Sequence, residues 1–328
     1  MTLTWDGLFH PTSSFGILST RFVEELAKLG MNVVIDPWTE SVRTNGEWPA
    51  PLASEAGSCL KDYLLDCPRI RVSHPNGACP GSIPFVFFED SELTCAPDDL
   101  ERTVNTLRTF PLVLVSSHYC KATLAAYGVK SERVPLGSDV TFPAGKLWGL
   151  DPYTFLTVAA PGRRKGMDLL CRAFEEIAPG RDVRLVLKGN CPGPEAWPNN
   201  GSVKRIDGSL TPDQMGELYA NADCFILPTR GEAFCLPALD AAKAGLPVII
   251  TGWGGQTDFT DPQWHIRYDL ARRDDGAGGL WAEPDFEHLK ELMIACYEKR
   301  PKPEPLAGWT WGQAAEILLD TLRGADLL

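Results

Sequence analysis

The sequence predicts an α/β protein with two Rossmann-like domains, each built on a doubly wound parallel sheet. Three observations support this fold class. The chain has 328 residues, which is enough for two domains with full cores. Short apolar runs are separated by amphipathic segments of helical spacing, as in parallel βαβ units. The segment 221–259 contains a whole unit, with strand, loop, helix, strand and loop in order.

The elements of this segment can be assigned from local signals. Cys224–Leu227 is an apolar run that suits a buried parallel strand. A helix is expected from about Phe234 to Ala244, with Pro237 in its first turn, where a missing N–H costs least. Gly245 ends the helix, and Leu246–Thr251 is the next buried strand. The loops after the two strands therefore lie at the same edge of the sheet.

These loops suit an anionic ligand. The helix N-terminus presents free N–H groups and a positive dipole end, and the glycines that follow Thr251 allow backbone to approach a ligand closely. Glu232 precedes the helix and Asp240 lies eight residues later. The two acids are about 80° apart around a helix and about 12 Å apart along it. They therefore cannot share one proton, but they suit the two ends of a nucleotide-sugar.

The first domain follows the same pattern. The polar loop 36–53 contains Trp38 and Trp48, which either stack on a sugar or seal a core. Thr141–Asp151, with proline and glycine, is expected to be a linker. The predicted strands are Thr2–Trp5, Met31–Ile35, Arg69–Ser73, Pro84–Phe88 and Leu112–Val115, and the predicted helices are about Ile17–Leu29 and Lys121–Tyr127.

The predicted second domain covers residues 146–308, and the first covers 1–145 together with a terminal helix in 309–328. The further strands predicted in the second domain are Phe155–Ala159, Val183–Lys188, Val203–Ile206, Trp264–Leu270 and Gly279–Glu283. Its helices are Met167–Ile177, a helix from about Leu210 to Asn221, and Asp285–Lys299, and Trp309–Arg323 is the terminal helix.

Composition narrows the class of protein. The formal net charge is −12, and no run of Lys and Arg is longer than Arg163–Lys165, which disfavours nucleic acid as a partner. No apolar run approaches the 18 or so residues of a membrane span, and the N-terminus lacks a leader pattern. The ten cysteines are scattered, which suits free thiols. We therefore expect a cytoplasmic protein.

The stretch 228–249, PTRGEAFCLPALDAAKAGLPVI, resembles the signature of the retaining glycosyltransferases of family 4. That pattern has an acid, seven residues and a second acid, here Glu232 and Asp240, with Asp in place of the usual Glu. Ala233 and Cys235 replace two glycines of the pattern. Further matches are Lys165-Gly166 in a basic loop, Val134–Asp139 near the end of the first domain, and Asp258 after a glycine pair.

This resemblance implies the GT-B fold, in which two Rossmann-like domains face a central cleft and the last helix crosses back to the first domain. It also implies a retaining hexosyltransferase. The expected donor is a UDP- or GDP-linked sugar, and the acceptor is an unidentified hydroxyl on a small molecule, a glycan or another molecule. No enzyme-bound metal or other cofactor is expected, and the sequence contains no Asp-x-Asp. The oligomeric state is left open.

The resemblance also implies roles for single residues. Lys165 and Arg164 are expected to stabilise the leaving diphosphate, with Arg163 as the alternative arginine. Glu232 is expected to contact the donor sugar, and Asp240 to hold the ribose hydroxyls. The other donor-side candidates are Gly16, Phe234, Cys235, Leu236, Gly254, Gly255 and Asp258, and the acceptor or sugar candidates are Ser14, His74, Glu89 and His118.

Three alternatives stay open. An epimerase or phosphorylase has a similar pair of domains, but needs further acid–base residues or a cofactor lysine. A sugar-nucleotide-binding pseudoenzyme would keep the fold without the reaction, and the change to Asp240 leaves room for it. A transferase acting on modified DNA bases would need a basic cleft rim.

Overall fold

The computed structural model describes residues 1–9, 13–37, 67–93, 97–143, 152–160, 162–189, 201–274 and 278–328. The chain divides into two compact units. Unit 1 consists of Met1–Gly137, Asp275–Gly279 and Trp309–Leu328, and unit 2 consists of Ser138–Asp274 and Leu280–Gly308. Trp38, Trp48 and most of the expected linker 141–151 lie outside the described residues.

The elements alternate between strand and helix in both units. Those of the first half are β1 (Thr2–Gly7), α1 (Ser14–Lys28), β2 (Asn32–Pro37), β3 (Arg69–Ser73), β4 (Ile83–Val86), α2 (Pro97–Leu107), β5 (Val113–Val115), α3 (His118–Ala126) and β6 (Ser131–Arg133). Those of the second half are β7 (Tyr153–Val158), α4 (Met167–Ile177), β8 (Val183–Lys188), β9 (Val203–Ile206), α5 (Pro212–Ala220), β10 (Cys224–Leu227), α6 (Leu236–Lys243), β11 (Val248–Thr251), β12 (His265–Ile266), β13 (Tyr268–Arg272), β14 (Leu280–Pro284), α7 (Phe286–Lys299) and α8 (Trp311–Gly324).

Each unit contains a parallel six-stranded sheet, which confirms the predicted fold class. The strand order is β2-β1-β3-β4-β5-β6 in unit 1 and β12-β11-β10-β7-β8-β9 in unit 2. In unit 2 the order reverses between β7 and β10, and in unit 1 it reverses between β1 and β3. Ligands of open α/β sheets bind outside the carboxyl ends of the strands at such a reversal. The fold therefore marks one candidate position in each unit.

The terminal helix α8 belongs to unit 1, where it packs against α1. Thr310 and Gln313 form a capping box that satisfies the first N–H groups of α8. The ring of Trp311, which is 3 % exposed, lies edge-on to Phe22 of α1 with centroids 5.6 Å apart. Gly137 is needed at this place, because a Cβ atom there would lie 2.2 Å from the Trp311 backbone nitrogen.

The structure corrects several predicted boundaries. Helix α2 and strand β6 were not expected, and the single strand predicted at Trp264–Leu270 is a short 3-10 turn followed by β12 and β13. β12 joins the sheet of unit 2, whereas β13 pairs with β14 in a separate antiparallel hairpin. Helix α1 begins earlier than predicted because the Ser13 side chain caps it. Within the described ranges, no helix is long and apolar enough to cross a membrane.

Candidate active site

The candidate site lies at the strand-order reversal of unit 2. The loop after β7 contains the short 3-10 turn Arg163–Lys165, and the loop after the neighbouring strand β10 contains Thr229–Ala233. Because both strands are parallel, the two loops leave the sheet at the same edge. Sequence positions 67 residues apart are thereby brought into direct contact.

Glu232 is at the centre of the contact. Its Oε1 atom accepts hydrogen bonds from Lys165 Nζ at 2.5 Å and from Thr229 Oγ1 at 2.9 Å, and Arg164 Nη1 lies 3.3 Å away. Glu232 is only 6 % exposed. All three contacts are to Oε1, and Oε2 has no hydrogen bond to any residue that the structure describes. One oxygen of the carboxylate is thus fixed, and the other is available to a ligand.

The local charges keep this carboxyl group ionised. Burial favours the neutral acid, but the charges of Lys165 and Arg164 and the hydrogen bonds from Lys165 and Thr229 outweigh it, so the pKa of Glu232 is lowered. At neutral pH the site therefore contains one carboxylate between two cations.

The two neighbouring arginines differ in position. Arg164 Nη1 donates to the Gly231 carbonyl at 2.6 Å, so its guanidinium lies against the acid loop. Arg163 Nη2 pairs instead with Asp274 at 2.7 Å, and both of those side chains are about half exposed. The structure thus brings Arg164 to Glu232 and turns Arg163 towards Asp274.

Sequence reasoning missed Arg230, which is 1 % exposed. Its guanidinium makes paired hydrogen bonds to Asp168, at 3.0 and 3.1 Å, and to Glu283, at 2.6 Å each. It also donates to the Arg163 carbonyl. No motif points to this residue; the only signal was an arginine inside a loop that joins two strongly apolar segments.

Asp240 lies on α6 in different surroundings from Glu232. Its carboxyl group lies near the Ser138 and Tyr219 hydroxyls and near the negative charge of Asp139. Burial is the largest effect and raises the pKa of Asp240, and the charge of Asp139 raises it too. Ser138, Lys243 and Tyr219 lower it, but the pKa is still raised to about 7. The two acids therefore titrate far apart, as expected for groups with separate roles.

Cys235 occupies a strained position between Glu232 and α6. Its φ of 81° is in the left-handed region, where a side chain is disfavoured, and the family pattern has glycine at this point. This turn explains why α6 begins at Leu236, two residues later than predicted. The neighbouring Phe234 is 2 % exposed, and its ring centroid lies 5.1 Å from that of Phe259.

The glycine loop after β11 packs directly on the acid loop. Gly255 N donates to the Glu232 carbonyl at 2.8 Å, and a Cβ atom at Gly255 would lie 1.9 Å from the Ala233 carbonyl oxygen. Gly254 has a φ of 115° and faces the same backbone. These two glycines therefore allow two loops to touch, and Asp258 ends the 3-10 turn that follows them.

The four acceptor candidates and Gly16 lie in unit 1. Ser14 and Gly16 are in the first turn of α1, and the Gly16 N–H donates to Ser13 Oγ at 2.9 Å. His74 follows β3, and its Nδ1 lies 3.0 Å from the Phe87 carbonyl oxygen. Glu89 follows β4 and His118 follows β5. All of them lie beyond the carboxyl ends of parallel strands, and so at one edge of this sheet.

Across the described ranges, no group of three or more His, Cys, Asp or Glu side chains is placed to hold a metal ion.

The fold and site define a class of protein. Residues 152–295 match the family model described as "Glycosyl transferases group 1". The structure is similar over 99 % of the chain to sucrose-phosphate synthase from Thermosynechococcus elongatus, with a TM-score of 0.72, 14 % identity and 98 % of that chain covered. It is also similar to Anabaena HepE in complex with UDP, with a TM-score of 0.61, 14 % identity and 98 % and 99 % coverage. The predicted resemblance is confirmed: the chain is a protein like those of glycosyltransferase family 4, with the GT-B fold.

Curated relatives agree with this assignment. The chain is 27 % identical over 227 residues to the serotype-specific mannosyltransferase WbdA of Escherichia coli. That match covers 65 % of this chain and 25 % of the relative, so the chain spans about a quarter of that protein's length. It is also 26 % identical over 326 residues to a D-inositol 3-phosphate glycosyltransferase of Segniliparus rotundus, with 88 % and 67 % coverage.

Proposed function

We propose that this protein is a retaining glycosyltransferase that moves a hexose from a UDP- or GDP-linked sugar to a hydroxyl acceptor, without an enzyme-bound metal. One observation supports this most strongly. Lys165, Arg164 and the ionised Glu232 meet at the strand-order reversal of unit 2. A nucleotide-sugar needs this combination, because its diphosphate is anionic and its sugar carries hydroxyl groups.

The cations act on the leaving group. As the bond between the anomeric carbon and the diphosphate breaks, its electron pair goes to the phosphate oxygen, and negative charge grows there. Lys165 and Arg164 are already held in a poorly solvated position, so only the Lys165 ammonium group has to move to meet that charge. Lys165 exchanges its contact with Glu232 for the phosphate.

The acid then acts on the sugar. When Lys165 turns to the phosphate, both oxygens of Glu232 are able to accept hydrogen bonds from sugar hydroxyls. Its lowered pKa means that it accepts hydrogen bonds and does not supply a proton. Glu232 therefore orients the hexose and favours positive charge at the anomeric carbon.

Asp240 is proposed to hold the ribose. A carboxylate accepts hydrogen bonds from both hydroxyls of a ribose, and Asp240 lies on the helix that follows the acid loop. Because its pKa is raised to about 7, ribose binding favours the ionised form and releases a proton below that pH.

Retention follows if the acceptor attacks from the face that the diphosphate leaves. The acceptor oxygen forms the new bond to the anomeric carbon, and its proton passes to the leaving phosphate. No protein base is then required on the opposite face. The mannosyltransferase and the inositol phosphate glycosyltransferase among the relatives favour a hexose donor and a hydroxyl acceptor.

The test starts with donor binding. The protein is screened by thermal shift with UDP, GDP, ADP and TDP sugars in the presence of EDTA, and the best donor is used to follow hydrolysis or transfer. Binding at about 100 times Kd should add about 2.7 kcal/mol to the unfolding free energy. The anomeric configuration of the product then shows whether the reaction retains or inverts it.

Two variants test the site itself. Glu232→Gln should abolish transfer while the fold is kept, and Lys165→Ala should lower the rate roughly 10²- to 10³-fold, as for the loss of one charge-stabilising group. Glu217→Gln, on an exposed part of α5, is the control and should be fully active. Wild-type turnover in the Glu232 variant would refute the proposal, and so would the lack of any donor binding.

A further inference from the structure

We infer that Arg230 is a positioning residue: it holds the cationic turn Arg163–Lys165 in the conformation that binds the diphosphate. This inference rests on the proposed function. It concerns a side chain of which only 1 % of the surface is exposed and which contacts two carboxylates other than Glu232.

Every N–H group of the guanidinium is used. Nε and Nη2 donate to the two oxygens of Glu283, and Nη1 and Nη2 donate to the two oxygens of Asp168. The remaining Nη1 proton goes to the Arg163 carbonyl. Five donors thus meet five acceptors, which is the full capacity of an arginine.

These contacts join three separate segments. Asp168 is in the first turn of α4, directly after the cationic turn, and Glu283 is on β14. The backbone of Arg230 adds to the link, because its N–H donates to the Arg164 carbonyl at 2.6 Å and its carbonyl accepts from Ala282 N at 2.9 Å. The turn is therefore held through the carbonyl groups of Arg163 and Arg164, while their side chains contact Asp274 and the Gly231 carbonyl, respectively.

The charge balance fits this role. Burial alone would lower the pKa of Arg230, but the hydrogen bonds and charges of Glu283 and Asp168 raise it, so the group stays charged. The pKa of Asp168 is correspondingly lowered, since the contact with Arg230 outweighs its burial. A buried guanidinium with two carboxylates is geometrically specific, because each pair of hydrogen bonds fixes a plane as well as a distance.

Lysine cannot replace this arginine. Its ammonium group has three donors and no planar fork, so Arg230→Lys keeps the charge but loses both paired contacts. The cationic turn would then lose its fixed position relative to Glu232. Displacements of about 1 Å at such sites cost up to about a hundredfold in rate.

The experiment compares nucleotides that differ by one phosphate. Affinities for UDP and UMP, and for GDP and GMP, are measured by calorimetry on folded wild-type, Arg230→Lys, Glu283→Gln and Asp168→Asn proteins, below their melting temperatures. Arg102→Lys is the matched control, since that side chain is 76 % exposed. If Arg230 positions the cations, its variant loses about ten- to a hundredfold in diphosphate affinity and little in monophosphate affinity. The kcat of the Arg230→Lys variant, measured in the reaction that the wild-type protein catalyses, falls in parallel.

Each other outcome has a distinct meaning. A folded Arg230→Lys protein with wild-type diphosphate affinity overturns the inference, and equal losses for monophosphate and diphosphate do the same, because they show only a structural role. If Arg230→Lys does not fold, the Glu283 and Asp168 variants decide: a selective diphosphate loss supports the inference, and wild-type affinity in both overturns it. A wild-type protein that binds none of these nucleotides overturns the proposed function and, with it, this inference.

Discussion

Glu232 and Asp240 are two acids eight residues apart whose surroundings move their pKa values in opposite directions. Glu232 is buried beside Lys165 and Arg164, and its pKa is lowered. Burial, and after it the negative charge of Asp139, raises the pKa of Asp240 to about 7. Burial raises the pKa of both carboxyl groups. At Glu232 the two cations and the hydrogen bonds outweigh burial, whereas at Asp240 burial prevails, so only Glu232 is ionised well below neutral pH.

Asp240 should make stability depend on pH. Between about pH 4 and 7 the folded protein holds a proton that the unfolded chain has released, so stability falls as pH rises through this window. From pH 5 to pH 8, wild type should lose about 2 kcal/mol relative to Asp240→Asn. Urea unfolding at both pH values measures the difference. Asp320→Asn, at a side chain that is 78 % exposed, should behave like wild type, and parallel pH profiles for wild type and Asp240→Asn would contradict the prediction.

At position 235, replacement by glycine should destabilise the fold less than replacement by alanine. Its φ of 81° costs a residue with a side chain roughly 1–2 kcal/mol, and only glycine removes that cost. Both replacements lose the buried sulfur, so their comparison isolates the backbone. Cys235→Gly should therefore unfold at higher urea than Cys235→Ala, by about 1 kcal/mol. Equal stability, or an advantage for alanine, would show that the turn is not strained.

At the scale of elements, the contact between the loops after β7 and β10 depends on one glycine. Gly166 has a φ of 68° and begins α4, and a Cβ atom there would lie 1.9 Å from the Pro228 carbonyl oxygen. Backbone of one loop thus lies directly on backbone of the other. This close approach brings Lys165 within reach of Glu232.

Gly166→Ala should therefore lower the free energy of unfolding by more than the strain of a left-handed backbone alone would. We expect a loss of roughly 2–4 kcal/mol from the clash and the strain together. The matched control is Gly180→Ala: Gly180 has a φ of 77°, but no atom lies within 4 Å of its added Cβ, so only strain of roughly 1–2 kcal/mol applies. Chemical denaturation of both variants gives the comparison. Equal losses would show that the clash is relieved by a small shift.

Much of unit 2 could be predicted because its strands are continuous apolar runs between glycines and prolines. Cys224–Leu227 and Val183–Lys188 agree with the structure residue for residue. Helix α2 was overlooked although its signals are present: Pro97 and two aspartates are typical of a helix start, and Leu100, Val104 and Leu107 recur at helical spacing. β6 was missed because a three-residue strand has no periodicity. Arg230 could not be found, since its partners Asp168 and Glu283 are far away in sequence and only the fold brings them together.

At the scale of the whole molecule, the two ends of the chain are joined in one unit. Helix α8 lies at the C-terminus, yet it completes unit 1 by covering α1. The core of unit 1 therefore depends on residues that are last in the sequence, whereas the candidate donor-side residues other than Gly16 belong to unit 2.

Trp311→Ala tests this division. Removal of a buried tryptophan should lower the stability of unit 1 by roughly 3–5 kcal/mol. Nucleoside diphosphate affinity, measured below the melting temperature, should be unchanged because the proposed phosphate contacts are in unit 2. Ile317 lies on the same helix and is 39 % exposed, so Ile317→Ala should have little effect on either property. A large loss of affinity in the Trp311 variant would show that unit 1 contributes to nucleotide binding.

On the proposed function, the ion pair between Lys165 and Glu232 also affects which anions bind, because an anion must compete with the carboxylate for Lys165. A carboxylate oxygen of Glu232 lies 2.5 Å from the Lys165 ammonium nitrogen. Chloride or another singly charged anion offers Lys165 no more charge than the carboxylate that it would displace. A diphosphate brings at least two charges and several oxygen acceptors, so it gains by the exchange. On the proposed function, the site therefore disfavours singly charged anions and discriminates by charge density before any base or sugar is recognised.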